Sequence, residues 1–381
     1  MPRQTHLPAP KYQQVYAALR REIQSGRLAT GARLPSEADL VKRFGASRIT
    51  VGRAVRDLQL AGLVERRAGS GTFVAMPRSA AALSFGLLIP DLGETDIFEP
   101  ICQGMMASPL AREHALIWGS LNGGGASKEE EAWRLCHQYI ERRASGVFFA
   151  PLEGAPSTQD VNMRIADALD GARIPVVLLD RPLVPYPQRG RHDLVGIDNR
   201  RAGYLITDHL LGLGATHLAF VAMPNAAATV DAREAGYREA LYARGARVDP
   251  ALAHRLDPAD PSAVARLMSG APDAVVCAND RTAGRLMHTL LRLGHRIPAD
   301  VRLAGVDDAE LASLLPVPLT TLRQPSRQIG DAALAAMLDR VARPDLPMRD
   351  ILLHCELVVR DSCGANRRSG DQGVGIPPGT G

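Results

Sequence analysis

At 381 residues, with 46% of them hydrophobic, the chain exceeds one ordinary domain and holds apolar material for two or three cores. No apolar run reaches the roughly eighteen residues that a membrane-spanning helix needs. The net charge of +4 hides an asymmetry: residues 1–75 carry 13 Lys and Arg against 5 Asp and Glu, a balance of +8, and the remaining residues a balance of −4. A basic head on a mildly acidic body fits a polyanion-binding module joined to something else.

The opening "MPRQTHLPAPKYQQ" has no apolar core of a secretory signal, so a cytoplasmic location is expected. Cys102, Cys136, Cys277, Cys355 and Cys363 are scattered, and none forms a C-x-x-C pair. Buried free thiols are therefore expected, with no zinc, disulfide framework or cofactor.

In the head, Tyr12, Val15, Tyr16, Leu19 and Ile23 recur at helical spacing, and Gly26 and Gly31 stop the run. Ser36 with Asp39 makes a capping box for a second helix, on which Leu40, Val41 and Phe44 face inward. Gly45 turns the chain, and Ser47 is placed to cap a third helix with Val51, Val55 and Leu58 inward, ended by Gly62. "LVE" and "TFV" then read as strands around "RRAGSG". This order predicts a winged helix-turn-helix whose third helix enters the major groove N-terminus first. Arg48, Thr50 and Arg53 lie opposite its apolar stripe, where Arg can reach a guanine edge and hydroxyls suit phosphates. Arg66, Arg67, Gly69 and Gly71 form a wing that can lie on backbone or minor groove.

The stretch from Tyr12 to Val74 resembles the operator-binding domain of the GntR family along its whole length. The resemblance implies an operator double-stranded DNA partner and adds Arg33, Ser36, Glu37 and Ser47 to the DNA-facing set. One position departs from the family pattern: Gly52 stands where Arg usually follows the Thr-Val pair of the recognition helix. Operator preference therefore does not transfer from relatives.

A linker is expected over 76–83, within the stretch "AMPRSAAAL" that starts at Ala75. Beyond it, "SFGLLIP", "ALIWG", "GVFFAP", "IPVVLLD", "HLAFVA", "DAVVCA" and "VRLAGV" read as buried strands separated by helical stretches. Strand–helix alternation predicts parallel sheets covered by helices, here in two lobes. A TIM barrel, the alternative, would need about eight evenly spaced units.

The strand-end motifs "IPVVLLDRP", "VGIDNRRAG", "DAREAGYREAL", "DAVVCANDRTAGRLM", "IPADVRLAGVDD" and "PLTTLRQPSRQIGDAAL" occur in the order of the LacI-family effector domain, itself similar to periplasmic sugar-binding proteins. The likeness is strong from Ile174 to Leu334 and weaker before. A GntR-type head on a LacI-type body resembles the arabinose-repressor group. It implies an effector domain over 84–363, a homodimer, and a ligand between the lobes at the carboxyl ends of strands.

By that resemblance Arg233, Asn279, Asp307 and Gln324 contact the effector, and Asp180 more loosely. Carboxylates accept two hydroxyls, Arg donates a fork and amides do both, a mixture suited to a sugar. Phe98 can stack on a sugar ring or sit in the core. Asp280 reads as a cap for "RTAGRLM", Asp308 as a cap or turn, and Asp198 and Asn199 as a helix start that touches no ligand. Residues 364–381 are Gly- and Pro-rich and read as a disordered tail.

Enzyme signatures are missing: there is no G-x-S-x-G, H-E-x-x-H, Walker A loop or G-x-G-x-x-G after a strand. The function expected is a ligand-responsive DNA-binding repressor of carbohydrate-metabolism genes, released by a small sugar. Its rival is a carbohydrate-binding or carbohydrate-active protein with an incidental basic head.

Overall fold

The computed structural model describes residues 10–24, 27–29, 31–60, 63–67, 71–74, 82–90, 92, 96–119, 127–154, 157–246, 249 and 252–365. Most of the expected linker and tail, together with Gly26, Gly62 and Gly69, lie outside the described residues. The chain divides into two compact units, Met1–Ala82 and Leu83–Gly381.

The first unit holds α1 (Lys11–Gln24), α2 (Glu37–Phe44), α3 (Arg48–Leu60) and the hairpin β1 (Val64–Arg67) and β2 (Gly71–Val74). Local signals explain the boundaries. Ser36 Oγ accepts from Asp39 N at 3.2 Å while Asp39 Oδ2 accepts from Ser36 N at 3.2 Å, which satisfies donors that the start of α2 would leave open. Gly45 ends α2 with φ 57°, the left-handed geometry that glycine adopts without strain. Ser47 Oγ accepts from Thr50 N at 3.2 Å and starts α3. Val15, Leu19, Leu40, Val51, Leu58, Val64 and Val74 close one small core.

The second unit is two lobes. One sheet has the order β13-β7-β6-β5-β3-β4, made of β3 (Ser84–Leu88), β4 (Ala115–Trp118), β5 (Gly146–Phe149), β6 (Val176–Leu179), β7 (Asp193–Ile197) and β13 (Asp350–Leu353). All its pairings are parallel. The other has the order β14-β12-β11-β10-β8-β9, made of β8 (Leu218–Ala222), β9 (Ala253–Arg255), β10 (Ala274–Cys277), β11 (Arg302–Asp307), β12 (Thr320–Arg323) and β14 (Glu356–Val358). Only β14 there runs antiparallel.

The helices are α4 (Phe98–Ala107), α5 (Lys128–Glu141) and α6 (Ser157–Gly171) in the first lobe. Those of the second are α7 (Asn199–Gly212), α8 (Ala228–Ala243), α9 (Pro261–Ser269), α10 (Asp280–Arg292) and α11 (Glu310–Leu314). Then α12 (Ser326–Ala342) returns to pack on α4 and on β5–β7. The chain thus crosses between lobes after β7, after β12 and after β13.

The seven expected apolar runs are all strands, and β7, β9, β12, β13 and β14 are additional. The additional strands are three to five residues long, and β13 alternates exposed with half-buried positions, so none carries a long apolar run. Buried Asp193 explains how the returning helix is fastened: it accepts from Arg340 Nη2 at 2.9 Å and Arg349 N at 2.8 Å, joining β7 to α12 and β13. All five cysteines are free and buried.

Candidate nucleic-acid interface and ligand cleft

One face of the head gathers Arg48, Ile49, Gly52, Arg53 and Arg56 from α3, with Glu37 from α2 and Arg66 and Thr72 from the hairpin. Arg48, Arg53 and Arg66 are exposed. The Arg53 guanidinium lies 4.0 Å from the Tyr12 ring centroid, so α1 aims it along the helix face. Arg33 is also exposed, and it forms a backbone bridge to Phe73 in β2. Gly71 has φ 113°, a conformation that favours glycine, and a Cβ there would lie 2.8 Å from Arg33 Nε, which runs beside the wing.

The hydroxyls of Ser36 and Ser47 are engaged in caps, and Thr50 Oγ1 sits 2.8 Å from Ser47 Oγ. Ser36 and Ser47 are thus held at the N-termini of α2 and α3, and one hydroxyl of the Ser47–Thr50 pair keeps its proton for a further acceptor. Arg67 lies in β1 opposite Gly71, and its side chain is outside the described residues. Sequence reasoning missed Ile49, which is 86% exposed on the first turn of α3. Its signal was an apolar residue lying off the Val51–Val55–Leu58 stripe.

In the body, a cavity of about 230 Å³ lies between the lobes. The first lobe supplies Asp96, Ile97, Lys128, Glu153, Asp180 and Arg181, and the second Thr229, Val230, Arg233, Asn279, Arg281 and Asp307. The chemistry-bearing side chains lie at or after the ends of β3, β4, β5, β6, β8, β10 and β11, as open α/β sheets arrange them.

Arg233 is placed by a close helix crossing. A Cβ on Gly203 of α7 would meet Arg233 O at 1.9 Å, and one on Gly236 of α8 would meet Arg200 O at 1.8 Å. The paired glycines let the two backbones touch. Arg233 Nε then donates to Asn199 Oδ1 at 2.8 Å and Nη1 to Ala278 O at 2.6 Å. Its Nη2 is left 3.6 Å from Asp307 Oδ1, which also accepts from Gln324 Nε2 at 2.7 Å. Asp307 and Asp180 have φ of 126° and 68°, strained for residues with a Cβ, in a pattern that accompanies binding sites. Burial pushes the Asp307 carboxyl above the usual carboxylate range, against the pull of Arg233 and Gln324.

Asp180 Oδ2 accepts from Arg181 Nε at 3.2 Å, while Asp180 Oδ1 is buried with no hydrogen-bond partner among the described residues. Gln324 Oε1 is in the same state. Such acceptors are costly unless a donor arrives. The formal charges on the cavity wall balance, four acids against four bases, and most stand as pairs: Asp96–Arg281 at 3.0 Å, Glu153–Arg181 at 3.1 Å and Arg233–Asp307.

Several expectations are corrected. Phe98 is fully buried at the start of α4 and is absent from the cavity wall; it carries the Arg181 guanidinium, 5.5 Å from its ring centroid. Gln324 stands behind Asp307 and does not line the cavity itself. Asp280 is not the cap of α10, because Asn279 Oδ1 accepts from Thr282 N at 2.9 Å. Fully buried Asp280 instead accepts from Thr321 Oγ1 at 2.6 Å and Ala309 N at 3.0 Å. Asp308 follows β11 at φ 55°, caps no helix, and pairs with Arg323 and Arg360. Asp198 caps α7, but Asn199 holds Arg233 and so supports the site. Arg181, Glu153, Lys128, Thr229 and Arg281 were not singled out from sequence, because nothing in their local patterns separates them from surface residues.

Comparison with known proteins places both units. Residues 11–74 match the family model of bacterial regulatory proteins of the gntR family, and residues 207–363 match that of a periplasmic binding protein-like domain. The arabinose metabolism transcriptional repressor of Geobacillus stearothermophilus is 27% identical over 368 residues, covering 93% of this chain and 97% of its own. The HTH-type transcriptional repressor PurR of Vibrio cholerae is 30% identical over 272 residues, covering 70% of this chain and 76% of its own. A solved complex of the transcriptional regulator CelR with cellobiose shares the fold at TM-score 0.62 and 24% identity, over 93% of this chain and 99% of that one.

Proposed function

The chain belongs to the bacterial transcription regulators that join a gntR-family DNA-binding head to a periplasmic-binding-protein-like body, and on that premise we propose that it is a sugar-responsive repressor. It binds operator DNA as a homodimer through the α3 face and the wing, and a small sugar in the interlobe cavity releases it. The observation that carries the sugar reading is the buried, unpartnered acceptor Asp180 Oδ1 in the wall of a charge-balanced cavity, across from Asp307. Hydroxyls supply donors to such acceptors, whereas an anion would bring more acceptors and meet Asp180 and Asp307. The arabinose metabolism repressor among the relatives supports a carbohydrate effector.

The effector acts by binding one lobe arrangement better than another, and its differential affinity sets the limit of the response. The deciding experiment is operator binding titrated with sugars, wild type beside Arg233→Ala and Asp307→Asn. Each variant strands hydroxyls that the wild type satisfies, so the response moves to higher sugar concentration by about 1–3 kcal/mol of lost affinity. Operator binding without sugar stays near wild type, since neither residue lies in the head. Unchanged sugar response in both variants would refute this cleft.

A further inference from the structure

Ile49 is the second residue of α3 and the one large apolar side chain left exposed among the described residues of the head. A lone exposed apolar residue is ordinary and needs no explanation by itself. The position of this one gives it meaning. At about 100° per residue, Ile49, Gly52, Arg53 and Arg56 fall on one face of the helix. The opposite face carries Val51, Val55 and Leu58 into the core of the head.

The space beside Ile49 is open as well. Gly52 stands three positions on, on the same face, and a Cβ there would meet nothing within 4 Å. The Arg53 guanidinium is turned to α1, 4.0 Å from the Tyr12 ring centroid. Four arginines, Arg48, Arg53, Arg56 and Arg66, border this hollow against two acids, Glu37 and Asp57. An apolar spot framed by positive charge is complementary to a surface that is anionic at its rims and carries an apolar group at its floor. The major groove of duplex DNA is such a surface, with phosphates along both edges. The apolar group that its base pairs offer there is the C5-methyl of thymine.

We propose that Ile49 reads a thymine by packing on its C5-methyl, in the space that Gly52 leaves open. Glycine at this point lets the helix backbone come close to the base edge. The proposal rests on the DNA-binding reading of α3 above and deepens it by naming the base that an uncharged side chain selects.

The test begins with an operator selected by the full-length protein from a pool of randomised duplexes. Each thymine of that operator is then replaced in turn by deoxyuridine, which removes the methyl and leaves the hydrogen-bonding edge unchanged. Affinity is measured for wild type, Ile49→Ala and Ile49→Val. Wild type is expected to lose about fourfold at one thymine position, the worth of one buried methyl. Ile49→Ala is expected to bind the thymine and deoxyuridine duplexes within about twofold of each other, and Ile49→Val to keep most of the discrimination. Ile49 takes no part in the core, so the thermal midpoint of Ile49→Ala should match wild type.

A scan in which no thymine methyl matters to wild type overturns the proposal, and it is the result expected if Ile49 meets a protein surface instead. A methyl effect of equal size in wild type and Ile49→Ala overturns the assignment to this residue. Recovery of no bound duplex by wild type defeats the DNA-binding reading itself, and this proposal with it.

Discussion

Asp280 shows how much a single side chain can contribute to the second lobe. Its carboxyl is fully buried, beside Asp307, and joins the start of α10 to Thr321 of β12 and to Ala309. Burial first, and the Asp307 charge second, hold its pKa above the ordinary 3.8. A folded-state pKa raised above the unfolded value means that the native state binds more protons than the unfolded chain over the intervening range. The stability it contributes is complete below the ordinary value and is lost as pH rises through the folded one. Asp280→Asn is expected to flatten that decline, and to cost about 1 kcal/mol for the weakened Ala309 hydrogen bond. Urea unfolding near pH 5 and near pH 8, wild type beside variant, checks it; an equal slope in both would assign the pH dependence elsewhere. The residue was read from sequence as a helix cap, because an acid before a helix most often is one. Only the approach of β12 from forty positions away reveals its real partners.

The recognition helix raises two questions at the scale of an element. Gly52 sits in mid-helix, and a Cβ there would meet nothing within 4 Å. Gly52→Ala is therefore expected to stabilise the head by about 1 kcal/mol through helix propensity alone. Thermal unfolding should show the gain, and a loss would mean that the helix needs the flexibility. The second question is which basic residues read sequence. Arg48 on the first turn of α3 is placed for base edges, and Arg66 on the strand of the wing for backbone. Arg48→Ala should cost about 1–3 kcal/mol and relax preference at one base position, whereas Arg66→Ala should weaken all sequences alike. Binding to a set of single-base operator variants separates the two, and identical sequence-blind losses would refute the assignment. Caps and stripes made this helix legible in advance. The orientation of Arg53 over Tyr12 was not, since it depends on how α1 crosses α3.

For the whole molecule, charge is divided between the units as sharply as chemistry is. The head holds nearly all the excess positive charge, and the body carries the neutral, paired cleft. Operator binding should then weaken steeply as salt rises, through counterion release, while sugar binding should barely respond. Measuring both between about 50 and 200 mM salt checks this, and an operator affinity indifferent to salt would sink the electrostatic account of the head. The body also distributes its work: three crossings of the chain between lobes put βα ends from both sides around one cavity. Asp96 and Arg281, 185 positions apart, meet across it at 3.0 Å.

The sequence by itself determined the winged head, the alternating α/β body and the identity of Asp180, Arg233, Asn279 and Asp307 as residues of interest. The elements follow from short-range physics, since periodic apolar positions and capping residues are written within a few positions, whereas Arg233, Asn279 and Asp307 were marked by resemblance to the LacI-family effector domain. Tertiary structure alone decided the rest. It buried Phe98 under Arg181, moved Gln324 behind Asp307, enlisted Asn199 to hold Arg233, and added Glu153, Arg181 and Arg281 to the cavity wall. Each of these depends on which elements approach one another, and that is set by sheet order and by the reciprocal glycine crossing of α7 and α8. A side chain's neighbours across a crevice come from segments far away in the chain, and local pattern carries no record of them.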